Sequence, residues 1–168
     1  MRTATVNVFE FNELSDKAKE VARNWYREAT AGEDWWDSVY EDASEIGLKL
    51  AGFDIGPAFY AMGSLTGTHS ETAAKIVATH GKSCHTHKLA CAFQQDSGYI
   101  AENASRGVES EYTPDELEAT FLRDLLHAYA VNLRQQSEYN ESDECIDENI
   151  VGGEYDFTAN GKRFVSVE

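Results

Sequence analysis

Four soft or borderline metal ligands fall within the octapeptide Cys84-His85-Thr86-His87-Lys88-Leu89-Ala90-Cys91. In a helix Cys84, His87 and Cys91 would share a face; in an extended segment His85, His87 and Cys91 would. Thiolate and imidazole suit zinc, and a thiol beside a histidine can also supply a nucleophile and its base. The spacing matches no standard zinc finger, however. Nucleophile and base normally converge from separate segments rather than from sequence neighbours. The preferred expectation is therefore plainer: a histidine-bearing surface loop beside a strand in which Cys91 is a small buried hydrophobe, with no metal and no cofactor.

Other chemistry leaves fewer traces. There is no G-x-S-x-G, no H-E-x-x-H and no Gly-rich phosphate loop. Gly63-Ser64-Leu65-Thr66-Gly67 is flanked by glycines but lacks the lysine that a phosphate loop needs. Carboxylates are so numerous that no pair stands out as general acid and base.

The arrangement of those carboxylates says more. Asp34, Asp37, Glu41 and Glu45 recur at spacings of three or four, with Asp42 beside them. On a helix they line one face, roughly 5–6 Å apart along the axis. Phosphates of one DNA strand recur every ~3.4 Å, so the stripe is sparser than DNA but has the same sign and order of spacing. A second cluster holds Glu138, Glu141, Asp143, Glu144, Asp147 and Glu148. Like charges so close cost stability, which predicts a partner that neutralises them. Trp35, facing differently from Trp36, is the tryptophan expected to be partly exposed and to anchor such a partner. Trp25 and Trp36 are expected in the core.

The elements that must position these residues follow from patterning. Residues 3–11 predict a strand. Ser15 caps a helix over about residues 16–30, which Gly32 ends. Asp34 caps a second helix with Trp36, Val39, Tyr40, Ala43, Ile46, Gly47 and Leu50 on its inner side, completing an αα-hairpin. Gly52 and the Gly56-Pro57 pair break the helical pattern, and residues 53–65 predict a buried strand. A short helix is expected over Glu71–His80. Residues 88–95 and 98–104 predict a strand pair turning on Asp96-Ser97-Gly98. Thr113-Pro114-Asp115-Glu116 is a capping box with proline at the first helical position, opening a long helix over about 114–137. A short acidic helix over about 142–151 and a hairpin turning on Asn160-Gly161 complete the chain. Strands and helices do not alternate, which predicts an α+β fold: an antiparallel sheet with an N-terminal helical hairpin and a long C-terminal helix packed against it.

A chain of 168 residues with 42% apolar and 11% aromatic content suits one acidic α+β domain spanning residues 1–168. No apolar run approaches the ~20 residues of a bilayer span. The N-terminus lacks a signal-like stretch, and three cysteines do not suggest a disulfide framework. These features predict a protein of a reducing cytoplasm. Its net charge of −16 repels nucleic acid and anionic membranes and attracts basic surfaces. That charge is uneven. Residues 1–68 carry 6 basic and 12 acidic residues, 69–108 carry 4 and 3 with four of the five histidines, and 109–168 carry 4 and 15.

Two segments resemble a family of small phage- and prophage-encoded proteins often labelled antitoxin-like. One runs from Phe11-Asn12-Glu13-Leu14-Ser15-Asp16-Lys17-Ala18-Lys19 through Ala22-Arg23-Asn24-Trp25-Tyr26-Arg27 into Trp35-Trp36-Asp37-Ser38-Val39-Tyr40-Glu41-Asp42-Ala43. The other is Glu154-Tyr155-Asp156-Phe157-Thr158-Ala159-Asn160-Gly161-Lys162-Arg163-Phe164. Residues 66–91 depart from the family, which is richer there in glycine and aromatics. The resemblance implies a phage accessory protein, a class that includes inhibitors of CRISPR effectors and of restriction enzymes. Combined with the acidic stripes, it leads to the expectation of a non-enzymatic anti-CRISPR-like inhibitor. Such a protein would dock on a basic surface of a CRISPR effector subunit or other nucleic-acid-binding host protein, and block access of DNA or RNA. The alternatives are an antitoxin that neutralises a basic toxin, and a Cys/His- or zinc-dependent enzyme built on Cys84–Cys91.

Overall fold

The computed structural model describes residues 5–166. The architecture is α+β, with helix dominant: among the described residues, six helices accompany one two-stranded antiparallel sheet. The chain divides into two compact units. One combines Met1–Asp34 with Gln136–Glu168, and the other is Trp35–Gln135.

In the first unit, α1 (Asp16–Ala29) starts where expected, with the Ser15 side chain accepting from the Ala18 N–H. That bond satisfies one of the donors left unpaired at a helix start. The small buried residues Ala18 and Ala22 let α1 approach α6 (Asp143–Gly152) closely. Between them Phe11, Leu14, Ile146, Ile150 and Phe157 form a core, edged by Trp25, Tyr26 and Tyr155. The strand expected over residues 3–11 is not formed in its described part. Phe9 makes a single antiparallel bridge to Phe157, and Phe11–Glu13 is a turn of 3-10 helix. Residues 3 and 4 lie outside the described residues. The C-terminal hairpin likewise reduces to a bridge, Phe157 to Arg163, around the expected Asn160-Gly161 turn. Gly161 has φ +83°, and a Cβ there would collide with the carbonyl oxygen of Ala18. Burial of Phe157 holds this end of the chain together with the paired Phe9–Phe157 backbone bonds and those from Thr158 N–H to the Lys162 carbonyl and from Phe164 N–H to the Asp156 carbonyl.

The second unit opens with α2 (Asp37–Glu45). The expected Asp34 cap is not used. Trp36 occupies the cap position without a side-chain bond, and the helix stops nine residues later. Ile46 and Leu50 therefore leave the helical face, because Gly47 at φ +82° turns the chain into β1 (Leu48–Asp54). The single strand expected over 53–65 is the second half of a hairpin. β1 pairs antiparallel with β2 (Tyr60–Leu65), from Leu48 opposite Leu65 to Asp54 opposite Tyr60, with an irregularity between Leu50 and Gly52. The Gly56-Pro57 pair forms its tip, where Asp54 accepts from the Gly56 N–H at 2.7 Å.

Next come α3 (His69–Thr79), α4 (His85–Ser105) and α5 (Pro114–Glu141). α3 opens on a Thr68/Glu71 capping box. α4 replaces the expected strand pair: Thr86, Ala90 and Phe93 are buried at helical spacing, and Gly98 sits in the helix with nothing within 4 Å of its would-be Cβ. α5 begins on the predicted capping box, with Glu116 N–H to Thr113 Oγ1 at 3.2 Å and Thr113 N–H to Glu116 Oε2 at 2.9 Å. It belongs to the second unit as far as Gln135 and to the first from Gln136. The core of the second unit gathers Ala43, Ile46, Leu48, Leu50, Ala73, Ile76, Ala90, Phe93, Phe121, Leu125 and Tyr129. Phe93 and Phe121 stack with ring centroids 4.5 Å apart. Among the described residues no helix is long and apolar enough to cross a membrane.

Candidate functional site

The first acidic stripe survives as a face of α2. An α-helix turns about 100° per residue. Val39, Tyr40 and Ala43 therefore cluster on one side, and these are the residues packed into the second core. Asp37, Glu41 and Glu45 drift by only about 40° per step of four and emerge on the opposite side, all exposed. Among the described residues none of the three is in an ion pair. Asp34 is exposed as well, but it precedes the helix and belongs to the first unit.

Asp42 behaves differently. It lies between the two faces of α2, and its Oδ2 accepts from the Tyr129 hydroxyl at 2.6 Å. Its Oδ1 faces His80 Nε2 at 3.6 Å, and His80 Nδ1 meets Thr86 Oγ1 at 2.7 Å. Tyr129 is fully buried and Thr86 nearly so. Burial first, and then the bond to Asp42, push the Tyr129 hydroxyl well above its ordinary value and keep it neutral. An Asp–His–Thr row resembles a nucleophilic relay in composition, but Thr86 is only 4% exposed, so a substrate has no approach to its hydroxyl. The row joins α2, the end of α3, the start of α4 and the middle of α5. Asp42 is thus a strut of the fold. Its role was not legible in the sequence, since its partners lie far along the chain.

The second acidic cluster finds its cations within the chain. Arg23 forks onto Asp147, Nε to Oδ1 at 2.6 Å and Nη2 to Oδ2 at 2.7 Å, and Arg27 Nη2 reaches Asp143 Oδ1 at 2.6 Å. Asp147 foremost, and Glu20, favour the charged form of Arg23 still further. Glu148 accepts from the Tyr139 hydroxyl at 3.3 Å, and Glu138 also has a partner. Glu141 and Glu144 are exposed. The crowding that predicted an external neutralising partner is answered in good part by α1.

The tryptophans sort in part as expected. Trp25 packs against Tyr26, Tyr155 and Phe157 at the edge of the first core. Trp35 is partly exposed, but so is Trp36. Both rings pack edge to face on each other and on Phe53, with centroids 5.6–5.9 Å apart. Tyr40 adds a fourth ring, 6.3 Å from Phe53. This aromatic knot sits at the N-terminal end of α2, on the side of Val39, Tyr40 and Ala43.

The cysteine–histidine segment is helical, not the expected loop and strand. Cys84 is the cap residue of α4, and Cys84, His85 and Cys91 are exposed, so Cys91 is not the buried hydrophobe anticipated for it. His87 is partly buried, with Nδ1 3.0 Å from the His80 carbonyl oxygen. Among the described residues no three His, Cys, Asp or Glu side chains are grouped to hold a metal ion.

No family model matches the chain, nor does any curated protein or solved structure.

Proposed function

We propose that this protein is a stoichiometric inhibitor of a host nucleic-acid-targeting defence, phage-encoded and of the anti-CRISPR kind. It acts by laying the acidic face of α2 on a Lys/Arg-lined surface that otherwise holds DNA or RNA. The observation that carries the reading is the row Asp37, Glu41 and Glu45, exposed and without ion pairs among the described residues, set opposite a packed apolar side. The sequence has no lysine or arginine between Arg27 and Lys49, and the nearest cation in space, Lys75 Nζ beside Gly47, lies past the C-terminal end of the row. Three carboxylates roughly 6 Å apart meet basic side chains spaced for phosphates and exclude the nucleic acid by occupying its contacts. The phage assignment rests on the resemblance of residues 11–43 and 154–164 to phage-encoded proteins. The Glu138–Glu148 cluster takes a lesser part, because Arg23 and Arg27 already compensate Asp143 and Asp147.

The test is an electrophoretic mobility shift of purified CRISPR effector complexes on labelled target DNA. Equimolar protein is expected to abolish the shift for at least one effector class. Asp37→Asn/Glu41→Gln/Glu45→Gln, which keeps side-chain shape, should weaken inhibition by about tenfold or more. Equal potency of the neutralised variant would refute the docking face.

A further inference from the structure

We propose that, independently of the α2 docking face, β2 is the edge through which two copies of this chain pair, strand to antiparallel strand, into a four-stranded sheet. Among the described residues β1 and β2 form a sheet of two strands only, so each has an outer edge. In an antiparallel ladder every second residue turns its N–H and C=O away from the neighbouring strand. Among the described residues, the backbone of residues 60–65 makes no backbone bond beyond the β1 ladder. Its outward groups are a template for another strand.

The two edges are not equally guarded. Charges, prolines and bulges protect a strand edge from pairing. β1 carries Lys49 and Asp54, has its irregularity between Leu50 and Gly52, and lies against α2. β2, Tyr60-Ala61-Met62-Gly63-Ser64-Leu65, has neither charge nor proline. It lies within Ile55–Ser70, the longest run of the sequence without Asp, Glu, Lys or Arg. Its side chains alternate. Tyr60, Met62 and Ser64 are exposed, Tyr60 by 42% and Met62 by 51%, while Ala61 and Leu65 pack on the second core.

The charge of the chain selects the occupant. Two copies carrying −16 each repel wherever their acids meet, and this uncharged edge is where they approach with least repulsion. A basic partner would be drawn to the acids instead. About a two-fold axis the strand meets itself, and residues directly opposite in a ladder share one face of the sheet. A register centred on Met62 keeps that rule. It sets Met62 opposite Met62 of the second copy and Tyr60 opposite Ser64 of the second copy, so the two exposed apolar rows become one.

The experiment is sedimentation equilibrium of the full chain from micromolar to millimolar concentration. The mass is expected to rise from 18.7 kDa toward twice that value, and to do so at lower concentration when added salt screens the repulsion. Met62→Glu sets two carboxylates opposite each other and should weaken pairing by about tenfold or more. Tyr99→Glu adds the same charge at an exposed position of α4 and should leave pairing nearly intact. Melting temperatures establish that each variant is folded, and Tyr60→Glu is the second probe should Met62→Glu fail to fold. Amide hydrogen exchange locates the contact: residues 60–65 should exchange more slowly in the dimer than in the dilute monomer. A chain that stays monomeric at every concentration and salt, a dimer that Met62→Glu and Tyr99→Glu weaken alike, or a dimer in which residues 60–65 exchange no more slowly, would overturn the pairing of β2.

Discussion

The Tyr129 hydroxyl has no access to water, and its acceptor is the Asp42 carboxylate at 2.6 Å. The two partners are not equivalent. The Asp42 side chain is 49% exposed, so after Tyr129→Phe it can turn to water, at a cost of about 1 kcal/mol. Asp42→Ala instead strands a buried hydroxyl, which costs about 1–3 kcal/mol. Urea denaturation should therefore show Asp42→Ala as the more damaging change, with Tyr129→Phe partly rescuing it in the double variant. A pH dependence follows from the same pair. Tyr129 titrates from an ordinary value of 10.0 when unfolded, and burial followed by the Asp42 bond raises it in the fold. Its contribution is intact below pH 10 and is lost as the pH rises through the folded value. Urea midpoints should fall from roughly pH 8 to pH 11, and less steeply in Tyr129→Phe. Tyr26 and Tyr40, raised chiefly by burial, add to the fall in both proteins.

Among elements, the clamp of α6 on α1 is the clearest electrostatic device. Arg23, its side chain 18% exposed, faces Glu20, Asp143 and Asp147 together. Arg23→Gln strips Asp147 of its cation, leaving Arg27 alone to face Glu20 and Asp143, and should cost about 2 kcal/mol. Asp147→Asn removes one acid from that group and should cost less. Reversal of this order in chemical denaturation would contradict the clamp. The Asn160-Gly161 turn is the counterpart in backbone geometry. Gly161→Ala meets both a positive φ and the Ala18 carbonyl, so a loss of more than about 2 kcal/mol is expected.

Element boundaries were legible where local chemistry decides them. Ser15, Thr113 with Glu116, and the Asn160-Gly161 turn each act within four residues, and all three were readable from sequence. α4 was not. Its buried stripe uses Thr86, Ala90, Phe93 and Asn103, of which only Phe93 is large and apolar, too few to raise a helical signal. Asp96-Ser97-Gly98 meanwhile imitates a hairpin turn. A glycine inside a helix costs only about 1 kcal/mol, which the packing of Ala90 and Phe93 on the second core exceeds. The hairpin of β1 and β2 was half hidden for a related reason: Ile46 and Leu50 continue the apolar spacing of α2, and the positive φ at Gly47 breaks that continuity.

At the scale of the whole molecule, a net charge of −16 describes several different environments. Composition located the acids but not their partners. Asp143 and Asp147 are bound to arginines more than 110 positions away in sequence, Asp42 is bound to Tyr129, and Asp37, Glu41 and Glu45 face solvent. Helical spacing alone was enough to find this last group, because its face is set by α2 itself. Long-range pairing, which decides the other two, leaves no local trace. The difference predicts a division of effect: neutralising Asp37, Glu41 and Glu45 should remove inhibition with little change in melting temperature, whereas Asp143→Asn/Asp147→Asn should shift the melting temperature and spare inhibition.

The most direct measurement is phage plating on bacteria that carry an active CRISPR system matched to the phage, with the protein supplied from a plasmid. The expected result is that the wild-type chain restores plaques to the level of an undefended strain for at least one CRISPR type, and that Asp37→Asn/Glu41→Gln/Glu45→Gln, expressed and folded to the same extent, does not. Restoration by the neutralised variant as complete as by the wild type, or failure of the wild type against every CRISPR type tested, would contradict it.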